Sequence, residues 1–141
     1  MTLTYTDEFL PRNGSLKPED LTLFHKRLRK DLRLRKIKYY ACGEYGEQYG
    51  RPHYHGIYFG LTRVDFDIVE KCWGMGRVHL GTVTSQSINY VTSYITKKLW
   101  GDVGKEVYGD NIAPFNRVSK GLGLQWCVDN NVQLLADLGL S

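Results

Sequence analysis

Cysteine is scarce in this 141-residue chain: Cys42, Cys72 and Cys127 are odd in number, far apart, and form no C-x-x-C pair. That excludes a disulfide framework and a thiolate zinc cluster, and it suits a reducing compartment. No run approaches the roughly 18 consecutive apolar residues that a membrane span needs. Met1 leads straight into Leu3, Thr4 and Tyr5 rather than into a basic and then apolar leader. The expectation is a soluble, cytoplasmic protein without an export signal. A G-x-x-x-x-G-K-[ST] phosphate loop is also missing, so any strand unwinding has to come from another protein. There is no internal repeat and no low-complexity tract.

With 42% hydrophobic and 13% aromatic residues, the chain can bury one core. A single domain over residues 1–141 is expected, with 101–141 a less regular C-terminal extension. The net charge of +4 is unevenly placed. Between Lys17 and Lys38 there are nine Lys or Arg against three acids, a surplus of six, so the remainder is slightly acidic. Such a field attracts a phosphate backbone, although a solvated helix face carries the same pattern.

Leu3 to Thr6 reads as a strand, followed by a turn at Pro11, Asn13 and Gly14. From Pro18, the steps Leu21, Phe24, Leu28 and Leu32 give an amphipathic helix with Lys26, Arg29, Lys30 and Arg33 off the apolar stripe. Ile37 to Cys42 and His53 to Phe59 are strand-like and read together as a hairpin joined through Gly43 to Arg51. Val64 to Trp73 predicts a second helix, Arg77 to Thr84 a strand, and Ser85 or Ser87 caps a helix running to about Leu99. No periodic signal spans Gly101 to Gly123, and Leu124 to Leu138 predicts a terminal helix. The order implies an α+β fold with a central antiparallel sheet of four to five strands and helices packed on it.

Two local patterns carry chemistry. In Arg51-Pro-His-Tyr-His-Gly-Ile-Tyr-Phe-Gly60, His53 and His55 stand two apart, so on a strand they face the same way and can share one metal. Glu44, just before the turn of the hairpin, is the simplest third ligand, with Glu47 in reserve. Two His and one carboxylate leave coordination positions open, as a catalytic ion requires. A bare H-x-H is equally what two surface histidines look like. In Tyr90-Val-Thr-Ser-Tyr94-Ile-Thr-Lys97-Lys98 the tyrosines lie four apart, one above the other on a helix, and Lys97 follows Tyr94 by three. Aromatic packing onto a sheet gives the same spacing, and lysines suit a helix C-terminus. Tyr54 and Tyr58 alternate with the histidines and fit either base stacking or packing beneath a helix.

Taken together, RPHYHGIYF resembles the H-hydrophobic-H motif of HUH endonucleases, and YVTSYITKK resembles their two-tyrosine motif. The likeness extends to the replication initiators of microviruses, small single-stranded DNA phages. In them, blocks similar to LTYTDE, CGEYGEQYGRPHYHGIYFG, YVTSYITKKL and Ser119-Lys120-Gly121-Leu122-Gly123 occur in this order, covering residues 2–123. Here Tyr94 keeps its lysine three positions on, whereas Tyr90 is followed there by Ser93. The resemblance implies an HUH/Rep-type palm, ferredoxin-like or RRM-like, that nicks and rejoins single-stranded origin DNA, a hairpin being one form of it, in a bacterial host. Tyr94 and Tyr90 would attack with Lys97 assisting, and a divalent ion, Mn²⁺ or Mg²⁺, would sit on His53, His55 and Glu44. Lys26, Arg29, Lys30, Arg33, Arg51, Lys98 and Lys120 would contact the DNA, and a host helicase would open the duplex. Two other readings use the same residues: a non-catalytic single-strand-binding module, and a metal-dependent hydrolase whose tyrosines are structural.

Overall fold

The structure, a computed structural model, describes residues 1–47, 50–97, 101–137 and 139; for 94–97, 101, 132, 134 and 135 it describes the backbone alone. Five strands, β1 (Thr2–Thr4), β2 (Lys38–Tyr45), β3 (Pro52–Phe59), β4 (Val78–His79) and β5 (Phe115–Val118), form one sheet in the order β4-β1-β3-β2-β5. Every neighbouring pair is antiparallel. Six α-helices are described: α1 (Pro18–Leu32), α2 (Phe66–Trp73), α3 (Ser85–Lys97), α4 (Gly101–Tyr108), α5 (Leu124–Asp129) and α6 (Asn131–Asp137). This is the α+β architecture that the sequence implies.

Alternation along the strands separates two faces. One carries Leu3, Tyr39, Ala41 and Tyr54, all under 10% exposed, and is covered by α1 and α2. Helix α1 begins with Pro at its first position and Glu19 and Asp20 in its first turn, and it ends with Arg29 and Lys30, all of which suit the helix dipole. Its Leu21, Phe24 and Leu28 are fully buried, each stabilising the fold by about 1.5–3 kcal/mol. Trp73 of α2 closes this core and donates its indole N–H to the Thr4 carbonyl at 2.8 Å. The other face carries His53, His55, Glu44 and Cys42 and receives α3, whose Val91 packs on Cys42 and Ile57.

The expected strand over Arg77–Thr84 pairs regularly only at Val78–His79, because its partner β1 is itself three residues long. Its irregular start still follows β1: Thr4 N–H donates to Arg77 O and Thr6 N–H to Met75 O, each at 3.0 Å. Gly74 ends α2 in the left-handed conformation, and at Gly76 the backbones approach so closely that a Cβ would lie 2.1 Å from the Thr4 carbonyl oxygen. Strand β2 runs on past Cys42 to Tyr45, which brings Glu44 into the ladder. The stretch Gly101–Gly123, without periodicity in the sequence, holds α4 and β5. The terminal helix is broken at Asn130, which is non-helical and whose side-chain amide donates to the Trp126 carbonyl. No helix among the described residues is long and apolar enough to cross a membrane.

Candidate metal centre

Period-two alternation puts His53 and His55 on one face of β3, and register supplies the third group. Glu44 of β2 is the direct partner of His53, and directly paired residues of an antiparallel ladder share a face. The carboxylate Oε1 of Glu44 lies 2.8 Å from His53 Nε2 and 3.0 Å from His55 Nε2. One ligand atom from each residue lies within 4.8 Å of the other two. Glu44 is buried, at 8% exposure, and Glu47 stands exposed in the turn, so the structure brings Glu44 rather than Glu47 to the histidines.

Both rings are oriented from behind. His53 Nδ1 is 3.0 Å from the carbonyl of Arg51, and His55 Nδ1 is 2.9 Å from Thr2 Oγ1. A carbonyl only accepts, so His53 Nδ1 carries the donated proton and Nε2 turns its lone pair toward the carboxylate. Two acceptors 2.8 Å apart are satisfied only by a cation between or upon them. A proton on Nε2 is one such cation. Burial pushes the His53 imidazole down, but hydrogen bonds to Glu44 and the Arg51 carbonyl, with the Glu44 charge, outweigh it and raise its pKa. A divalent ion is the other, and two Nε2 atoms with a carboxylate oxygen, each His held through its second nitrogen, are a donor set that fits one. Cys42, beside His55 in the ladder, is not a ligand of this kind. Burial, and then the Glu44 charge, lift its thiol to about 12, and it packs against Ile57 and Val91.

Helix α3 lies over this face. The Tyr90 ring meets the His55 ring edge-on at 5.7 Å between centroids and is half exposed. Tyr94 and Lys97 belong to the same helix; their side chains, and all of Lys98, lie outside the described residues. Arg51, immediately before β3, is held by Asp7 at 2.8 Å and the Tyr5 carbonyl at 3.1 Å. The other basic residues singled out in the sequence are not gathered here. Lys26, Arg29, Lys30 and Arg33 are exposed on α1, on the far side of the sheet, with the Arg29 guanidinium over the Tyr39 ring. Lys120 is exposed near the Lys38 end of β2, roughly 20 Å of strand from Glu44.

Tyr54 and Tyr58 pack rather than present faces to bases. Tyr58 bonds His25 of α1 at 2.8 Å. Tyr54, between the two histidines in sequence, is 1% exposed on the opposite face. Its hydroxyl lies 2.8 Å from that of Tyr5, which donates to Asp20 at 2.9 Å, and accepts from the Lys17 N–H at 3.1 Å. This buried network pins β3 to the start of α1, fixing the register on which the metal face depends. Thr2 went unnoticed in the sequence because only its pairing with His55, 53 positions away, gives it a role.

A family model described as a replication-associated protein of the ORF2 type matches residues 1–99, which contain β1 to α3 and the whole cluster. The chain belongs to this family. Curated relatives include replication-associated protein ORF2 of Spiroplasma virus 4, 34% identical over 95% of this chain and 48% of its own length. Replication-associated protein VP4 of Bdellovibrio phage phiMH2K is 32% identical over 70% of this chain and 38% of its own length. Replication-associated protein ORF4 of Chlamydia phage 1 is 30% identical over 70% and 30% respectively. The chain therefore spans about half, or less, of the relatives that it matches. No solved structure matches it.

Proposed function

We propose that this chain initiates rolling-circle replication of a small phage genome by cutting and rejoining single-stranded DNA through a tyrosine. The observation that carries the reading is the convergence, on one sheet face, of Glu44, His53 and His55 with a helix that presents Tyr90 edge-on to His55. Family membership, and the printed names of its phage relatives, support replication as the setting.

In the proposed reaction a phenol oxygen forms a new bond to phosphorus as the 3′ oxygen leaves. The phenol proton passes to solvent and the departing 3′ oxygen takes one up. The result is a 5′-phosphotyrosine and a free 3′-OH, with bond energy kept for rejoining. A divalent ion held by Glu44, His53 and His55, Mn²⁺ or Mg²⁺, supplies charge neutralisation at the scissile phosphate. Mixed nitrogen and oxygen donors favour Mn²⁺ in affinity. The chain's own residues do the rest. Thr2 and the Arg51 carbonyl hold the imidazoles, the buried network behind Tyr54 keeps the strand in register, and α3 carries Tyr90 with Tyr94 four positions later. A phenol with an ordinary pKa of about 10 needs nearby positive charge to attack, a role we assign to Lys97 beside Tyr94. Two tyrosines suit a full cycle, one keeping the old 5′ end while the other cuts the regenerated origin.

Incubation with a library of single strands and Mn²⁺, followed by a denaturing gel, tests the reading. A covalent protein–DNA band, lost in Tyr90→Phe/Tyr94→Phe, is expected. Cleavage without any band would point instead to a metal-activated water, and binding without cleavage to a non-catalytic module.

A further inference from the structure

Beside the metal centre the structure has a groove of about 390 Å³ lined by Thr4, Tyr5, Thr6, Asp7, Arg51 and Arg77. Its position follows from register. Glu44 pairs with His53, His53 with Thr4, and the Thr4 N–H donates to the Arg77 carbonyl, so the four residues form one row across four strands or their extensions. Arg77 thus stands two strands from His53, roughly 10 Å between backbones. Arg51 enters the groove from the residue pair just before the first histidine.

Three properties define what the groove takes. Two guanidiniums face a single carboxylate, Asp7, so the net charge is positive. Asp7 is already bound to Arg51, whereas Arg77 has no ion pair or side-chain hydrogen bond among the described residues. The one aromatic ring in the lining, Tyr5, is 5% exposed and packed on Trp73 and Tyr54, which leaves no platform for a base. A guanidinium fork, two threonine side chains and no stacking surface recognise a phosphate oxyanion rather than a base edge.

We propose that this groove is the subsite for a backbone phosphate of the bound single strand, flanking the phosphodiester at Glu44, His53 and His55, with Arg77 as its principal cation. The proposal rests on the strand-cutting function above and adds to it the direction in which the strand leaves the metal, across β1 toward β4. Arg51, fixed by Asp7 and the Tyr5 carbonyl, shapes the near wall. Arg77, exposed and unpaired, closes on the phosphate.

The test is binding of fluorescein-labelled random-sequence and oligo-dT 20-mers to the full chain in EDTA, by anisotropy from 0.05 to 0.3 M salt. One lost phosphate contact on a single strand lowers the salt slope by about 0.7, which is ~fivefold in affinity at 0.1 M. Arg77→Ala should show both changes, Arg77→Glu a larger loss, and Arg77→Lys near-parental values, with unchanged circular dichroism in all three. Unchanged affinity and slope in Arg77→Ala, or no binding of any strand by the parent chain, overturns the subsite. The covalent-adduct assay separates this from the cleavage reading. If no adduct ever forms while Arg77 still contributes to binding, the transesterification falls and the phosphate subsite stands.

Discussion

Metal binding at Glu44, His53 and His55 should strengthen steeply as pH rises through neutrality, and the structure gives the sign and the scale. The His53 Nε2 that would ligate an ion faces the buried Glu44 carboxylate, and its pKa is raised because that contact, the Arg51 carbonyl and the Glu44 charge outweigh burial. A raised histidine contributes stability to the metal-free fold that is fully present below its unfolded pKa of about 6.5 and lost as pH rises through the folded value. The same proton must leave before Nε2 can hold a metal. Below the folded pKa, affinity therefore falls up to about tenfold per pH unit, or ~1.4 kcal/mol. At 100 times its dissociation constant an ion stabilises by about 2.7 kcal/mol. For a chain of this size that raises Tm by roughly 5–11 °C. Thermal melts with and without Mn²⁺ from pH 5.5 to 8 should show the metal-induced rise growing with pH, and Glu44→Gln should abolish it. A rise that is flat with pH, or one that survives Glu44→Gln, would refute the reasoning.

Other perturbations have equally defined outcomes. His25 is buried against Tyr39 and Tyr58, and burial, then the Arg29 charge, depresses its pKa to about 3. The unfolded chain thus binds a proton below about pH 6.5 that the folded one refuses, so this stability is complete above 6.5 and lost as pH falls toward 3. Urea denaturation at pH 4.5 against pH 7 should show a loss of about 2–3 kcal/mol in the parent that His25→Phe lacks. Thr2→Val removes the hydroxyl that orients His55 and should weaken Mn²⁺ binding about 10–100-fold by calorimetry, with the fold intact. Val91→Ala opens a gap between α3 and the Cys42–Ile57 patch; about 2 kcal/mol of stability should be lost, read by chemical denaturation.

What was legible in the sequence is what period and spacing encode. The stripe Leu21, Phe24, Leu28 and Leu32 gave away α1, and the two-residue step from His53 to His55 gave away a shared face. Glu44 was within reach because a hairpin folds preceding residues back beside the histidines, though its strand runs further than β-propensity indicated. Long-range pairing was not legible. Strand β5 lies in a glycine-rich polar stretch, and it reaches the β2 edge through Phe115 against Tyr54 and through the Ser119 hydroxyl, which accepts the Tyr39 N–H. Neither contact leaves a local pattern. The same holds for Thr2 behind His55 and for Arg77, whose row with His53 exists only once β1 lies between them. The basic run of α1 was conspicuous in sequence, yet amphipathicity does not say which sheet face a helix covers. The fold sets it behind the sheet.

The central claim is that a tyrosine on α3 attacks DNA held at the metal face, and the direct measurement is the covalent adduct on a denaturing gel with Mn²⁺ and single-stranded substrate. The account predicts a protein–DNA band that persists in part in Tyr90→Phe or Tyr94→Phe alone, vanishes in the double variant, and is lost in His53→Ala, His55→Ala or Glu44→Ala. A band that survives the double tyrosine change, or cleavage that persists without the metal-face residues, would contradict it.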